Sequence, residues 1–129
     1  MLVASDANWV RDHVRAALVG PNFEVVEATR GQDVRQMVAA EGPDLVVVDL
    51  QIANMGGMAV SLDLRLEESA GRLTRVPILL LLDREADRFL ARRSQADAML
   101  VKPVDPGTLR RAVKRLVTSP EPRPAPPGT

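Results

Sequence analysis

Short aliphatic runs alternate with longer stretches in which apolar positions recur every three or four residues, the pattern of a parallel sheet covered by helices on both faces. Met1 to Ser5 reads as a first strand. Val10, Val14, Ala17 and Leu18 then mark a helix from about Asn8 to Val19 that Gly20-Pro21 ends. Glu24 to Ala28 is a second strand, and a helix from about Gln32 buries Val34, Met37 and Val38 before Gly42-Pro43 stops it. Asp44 to Leu50 is continuous and rich in valine, as a strand covered on both sides should be. The paired glycines of Gln51 to Gly57 permit a tight turn into a helix running to about Ser69. Pro77 introduces Ile78 to Leu82, whose short length favours a strand over a helix. Arg84 to Ser94 reads as helix, Ala98 to Val101 as a fifth strand, and Pro106 to Val117 as a fifth helix with proline suited to its first turn. Ser119 to Thr129 holds five prolines and almost no apolar residue, so residues 118–129 are expected to be a disordered or polyproline-like tail after a folded unit at 1–117.

The expected fold class is therefore α/β, a flavodoxin-like (βα)5 doubly wound parallel sheet with strand order 2-1-3-4-5. At 129 residues the chain is sized for one domain, with no room for a second folded output module. Lys plus Arg and Asp plus Glu balance at 17 each, so neither nucleic acid nor an anionic membrane is an expected partner. Cysteine is absent and His13 stands alone, which excludes disulfides, thiolate sites and a zinc cluster. With no long apolar run and no leader-like start, the protein is expected to be cytoplasmic.

In such a sheet, ligands sit beyond the carboxyl ends of the strands where strand order reverses, between strands one and three. Asp6 and Asp49 fall there. An Asp after buried aliphatics calls for a cationic partner, and Lys102, directly after the fifth strand, projects from the same edge. Two carboxylates completed by backbone carbonyl and water would suit Mg2+. The chemistry this set supports is attack of a carboxylate on a phosphoryl group while Mg2+ and Lys neutralise the transferring oxygens. Taken singly, Asp6 reads equally well as a helix cap or turn residue.

Asp44 to Asp49, the turn through Met55 and Gly57, and Val101-Lys102-Pro103 together resemble the signature of response-regulator receiver domains. The resemblance spans residues 1 to about 117. It implies a non-enzymatic signalling protein in which Asp49 accepts a phosphoryl group, Lys102 assists, and Asp49, Asp6 and the backbone carbonyl of Gln51 hold Mg2+. It implies a histidine kinase or phosphotransfer protein as donor, and a downstream protein docking on the face made by helix four, strand five and helix five.

The departures from that signature are equally specific. Ser5-Asp6 replaces a pair of acids, leaving Ser5 a weak metal ligand and Mg2+ binding weakened. The switch hydroxyl after strand four is missing: that position falls on Leu80 or Leu82, depending on how the loop is counted, and no Ser or Thr occurs between Thr74 and Ser94. The neighbouring Asp83 adds repulsion against a bound phosphoryl group. Met99 stands where an aromatic residue usually changes rotamer, and Ala53 where a proline commonly follows. Two readings therefore compete: a stand-alone receiver in a two-component or phosphorelay pathway, and a pseudo-receiver serving as a phosphorylation-independent interaction module.

Enzyme readings fit less well. A haloacid-dehalogenase-type phosphatase needs an Asp at position 51, which is Gln, and a flavin protein wants stacking aromatics where this chain has one Trp and no Tyr. The arginines of helix four (Arg84, Arg88, Arg92 and Arg93) read as a solvated face balanced by Asp83, Glu85 and Asp87. Arg110-Arg111 and Lys114-Arg115 read the same way, with a homodimer or partner surface as the alternative. His13 reads as solvated. Trp9 either covers the metal site or packs beneath the first helix.

Overall fold

The computed structural model describes residues 1–18, 24–52 and 55–118. Five strands, β1 (Leu2–Ala4), β2 (Val26–Ala28), β3 (Val46–Asp49), β4 (Ile78–Leu82) and β5 (Ala98–Val101), form one parallel sheet in the order β2-β1-β3-β4-β5. The helices are α1 (Asn8–Ala17), α2 (Val34–Glu41), α3 (Gly57–Ser69), α4 (Asp87–Ala91) and α5 (Pro106–Thr118). This is the expected (βα)5 order. Gly20-Pro21, Ala53 and the proline-rich segment from Ser119 lie outside the described residues.

Side chains of a strand alternate between the two faces of its sheet, and this alternation divides the core in two. Leu2, Ala4, Val46, Val48, Ile78, Leu80 and Leu82 pack with Val34 and Val38 of α2, Val60 and Leu64 of α3 and Ala91 of α4. Val3, Val47, Leu79 and Leu81 face the other way, against Val10 and Val14 of α1 and Leu109 and Val113 of α5. The uninterrupted aliphatic runs of β3 and β4 are thus required on both faces. Register places Val48 beside Ala4 and Leu80, and Asp49 beside Leu81, so β1, β3 and β4 end at one edge, each running one residue further than the strand before it.

Several elements are shorter than their apolar patterns indicate. Regular pairing covers Leu2–Ala4 and Val46–Asp49, so Ser5 and Leu50 lie just past the strand ends. A 3-10 turn, Gly31–Asp33, leads into α2, and Gly42 takes the left-handed conformation (φ +56°) that closes it. The fourth helix departs most from expectation: only Asp87–Ala91 is α-helical, followed by a 3-10 turn at Arg92–Ser94. The Asp87 carboxylate accepts from the backbone N–H of Asp83 (3.2 Å) and of Arg84 (2.9 Å), which holds residues 83–86 in a turn.

Candidate functional site

Asp49 is the last residue of β3 and is 2% exposed, at the carboxyl edge where β1 and β3 adjoin. A buried carboxylate needs a full set of donors, and Asp49 has one. Lys102, directly after β5, puts its Nζ 2.5 Å from Asp49 Oδ1, and the backbone N–H of Gln51 donates to the same oxygen at 3.1 Å. The Ser5 hydroxyl, fully buried, donates to Oδ2 at 2.8 Å. Lys102 is anchored through its main chain, whose N–H donates to the Leu82 carbonyl at 2.8 Å. The Lys102-Pro103 peptide bond is cis.

Beneath Asp49, α3 approaches through Gly57. A methyl group there would stand 2.7 Å from the Asp49 carbonyl oxygen and 2.8 Å from the Leu50 Cα, so only glycine fits without displacement. Gly57 N–H donates to the Leu50 carbonyl at 3.0 Å, pinning the start of α3 to the loop after the aspartate.

Asp6 does not meet the other two residues of the expected triad. It is exposed, and its carboxylate forms no hydrogen bond or ion pair with a described residue. The second carboxylate on the lysine is Asp83, with Oδ1 3.0 Å from Lys102 Nζ. Asp83, expected only as a source of repulsion, is therefore a partner of the cation: the turn imposed by Asp87 directs it back over the strand ends. Burial would lower the Lys102 pKa, but the hydrogen bonds and charges of Asp49 and Asp83 outweigh it and hold the pKa above the ordinary lysine value.

The donor set bears on Mg2+ as follows. All candidate ligands are hard oxygens; Asp49 Oδ1 already accepts from Lys102 and from the Gln51 N–H, whereas Oδ2 accepts from Ser5 and keeps a second lone pair. Among the described residues no group of three or more acidic or histidine side chains is assembled for a metal. Asp49 Oδ2 and the Gln51 carbonyl are oxygens of the kind a divalent ion with several waters takes, while the exposed Asp6 side chain would have to turn inward to join them.

The two leucines at the expected switch position lie at the end of β4. Leu82 is the final residue of β4, fully buried, with Leu80 two residues below it on the same face. Met99 is half-buried against that core, opposite Leu80 in register. No described hydroxyl at the end of β4 reaches the site.

Three further residues have different surroundings from those expected. Trp9 is 57% exposed and not packed beneath α1, and Lys102 Nζ lies 5.9 Å from its ring centroid. His13 is half-buried, not solvated, and its Nε2 donates to the Val104 carbonyl. Arg11, which the helical pattern passed over, donates to the Ser5 carbonyl at 2.6 Å and pairs with Glu27 at 3.3 Å, fixing the chain at the end of β1. Its only sequence signal is an arginine one turn into a helix that starts beside a strand end. On α4, Arg84 pairs with Asp87 and Arg88 with Glu85, as a balanced solvated face should. The same helix exposes Phe89 and Leu90. No helix of the described residues is long and apolar enough to cross a membrane.

A five-stranded sheet with a buried, lysine-paired aspartate at its switch point defines a class of signalling modules, and comparison with known proteins agrees. Residues 1–114 match the family model of the response regulator receiver domain, and the chain belongs to that family. It is 33% identical over 126 residues to a protein of Mycobacterium tuberculosis named as an uncharacterized response regulatory protein, covering 93% of this chain and 92% of that one. The receiver domain of a signal transduction histidine kinase from Syntrophus aciditrophicus superposes with a TM-score of 0.81 at 22% identity, over 94% of this chain and 91% of that one. The BeF3-activated N-terminal receiver domain of Klebsiella pneumoniae RstA gives a TM-score of 0.78 at 27% identity, over 91% and 97%.

Proposed function

We propose that this receiver domain accepts a phosphoryl group on Asp49 in a two-component or phosphorelay pathway and signals by protein contact. The observation that carries the reading is the 2.5 Å contact between Lys102 Nζ and Asp49 Oδ1 at the sheet's switch point. An Asp49 carboxylate oxygen attacks phosphorus, forming an acyl P–O bond as the bond to the donor breaks. The donor, a histidine kinase or phosphotransfer protein, keeps that electron pair, and its leaving nitrogen takes a proton. Lys102, charged throughout the neutral range, neutralises the developing charge on the transferring oxygens. Ser5 and the Gln51 N–H hold the carboxylate in place for the attack. Asp49, the Gln51 carbonyl and an inward-turned Asp6 would hold Mg2+, which would supply further charge neutralisation. That ion would bind weakly, because Ser5 stands in place of an acid. The downstream partner docks on the face of α4, β5 and α5, where Phe89 and Leu90 are exposed.

A second reading has its own support. Leu82 fills the place of a hydroxyl, and Asp83 already neutralises Lys102, the features of a pseudo-receiver that works without phosphate. Incubation with acetyl phosphate and Mg2+, followed by intact mass, separates the two. The acceptor reading requires a gain of one phosphoryl group that Asp49→Asn abolishes. No gain at saturating donor leaves the pseudo-receiver.

A further inference from the structure

Lys102 is shared between two carboxylates that differ sharply in how freely they can leave. Asp49 is 2% exposed at the side chain and fixed by Ser5 and the Gln51 N–H, whereas the Asp83 side chain is 35% exposed and touches the site only through the ammonium. We propose that Asp83 is an internal counter-anion: it occupies Lys102 until a phosphoryl group on Asp49 displaces it, and its departure loosens the turn into α4. The inference rests on the acceptor reading above and supplies that reading with an output route that needs no hydroxyl at Leu82.

The charge count favours the exchange. Phosphorylation converts the Asp49 carboxylate into a neutral acyl group bearing a phosphoryl of roughly two negative charges at neutral pH. Lys102 has three N–H donors but one charge, and the carboxylate 3.0 Å from it would then lie beside the phosphoryl oxygens. The member of the pair that can reach water at least cost is Asp83. Its movement is not local, because its own backbone N–H and that of Arg84 both donate to the Asp87 carboxylate in the first turn of α4. Two and three residues further on, Phe89 and Leu90 are 69% and 54% exposed. A shift of Asp83 therefore reaches an apolar surface through one side chain.

Trp9 provides the measurement. It is the one tryptophan of the chain, and its ring lies 5.9 Å from Lys102 Nζ, so its emission reports where the ammonium sits. The full chain and its Asp83→Asn and Asp83→Glu variants are titrated with beryllofluoride in the presence of Mg2+, and amide exchange of residues 83–91 is followed without ligand. Removing a negative charge beside the anion site is expected to tighten beryllofluoride binding about tenfold in Asp83→Asn. Asp83→Glu, which keeps the charge, stays near the parent. Exchange of the 83 and 84 amides rises several-fold in Asp83→Asn before any ligand is added. A purely structural role for Asp83 cannot tighten binding, so equal or weaker binding in Asp83→Asn overturns the proposal. Should no variant bind beryllofluoride, the acceptor reading falls. The exchange then falls with it, and the unliganded protein judges what is left: altered Trp9 emission with faster exchange retains the link from Lys102 through Asp83 to α4, and parental values for both overturn that as well.

Discussion

The two edges of the sheet each carry a buried carboxylate held by cations, and they are built on opposite terms. At the amino edge, Asp97 accepts from Arg65 and Arg75 (2.6 Å each) and from the Ile78 N–H (2.7 Å). Arg65 in turn donates to the carbonyls of Gln95 and Val76 and to Glu68, so one guanidinium ties α3 to the entrances of β4 and β5. The planar forks fix the geometry. At the carboxyl edge the cation is a lysine, a point charge on a flexible stem, and one of its two carboxylates stands at the surface. The first arrangement keeps Asp97 on the buried Arg65 even if the half-exposed Arg75 leaves, while the second can exchange the surface carboxylate on Lys102 for another anion. A buried ion pair marks function when one of its members has somewhere else to go.

The largest effect should come from breaking the closed cluster. Arg65→Met removes one of the two guanidiniums on Asp97, the cation paired with Glu68 and the donor to the Gln95 carbonyl, and urea unfolding should show a loss of about 3–5 kcal/mol. Next, the two carboxylates should respond unequally to the same change. Asp97→Asn costs about 2–3 kcal/mol. Asp49→Asn costs about 1 kcal/mol or less, since the amide can still bond Ser5 and the Gln51 N–H while Lys102 keeps Asp83. Equal losses would erase the distinction between the two edges.

Acid sharpens the same contrast. Burial would raise the Asp97 carboxyl, but the Arg75 hydrogen bond, the Ile78 N–H and the charges of Arg65 and Arg75 hold it below its ordinary 3.8. A depressed carboxyl stabilises the fold above its unfolded pKa, and that contribution disappears as pH falls through the folded value. Stability measured across this acid range should therefore fall more steeply in the parent than in Asp97→Asn.

Much of the carboxyl edge was legible before any coordinates. The aliphatic runs of β3 and β4 state their own burial, parallel topology follows from the alternation with helices, and together these bring Asp49 to Lys102 across 53 residues of sequence. What could not be read depends on loop direction. Asp6 and Asp83 are both acids just beyond strand ends, and nothing local says that Asp6 turns to solvent while Asp83 turns back onto the lysine. That choice is made by Asp87 capping two N–H groups four and three residues upstream, in a segment whose composition reads as ordinary helix. The Arg65 cluster was equally silent, since an arginine among Leu62, Leu64 and Leu66 looks like a solvated break in an apolar helix until the entrances of β4 and β5 are placed beneath it.

Smaller changes test how the acceptor is seated. Gly57→Ala pushes a methyl group against the Asp49 carbonyl oxygen and the Leu50 Cα and should cost about 1–3 kcal/mol in thermal or urea unfolding. Ser5→Ala removes one hydrogen bond from Asp49 and should cost about 1 kcal/mol by the same measurement.

The most direct test of the acceptor site is chemical. After incubation with acetyl phosphate and Mg2+, borohydride reduction converts an aspartyl phosphate to homoserine, which peptide mass mapping locates. The account requires homoserine at position 49 alone, and its loss in Lys102→Met. An unmodified residue 49 in folded protein, or reduction at another carboxylate, would contradict it.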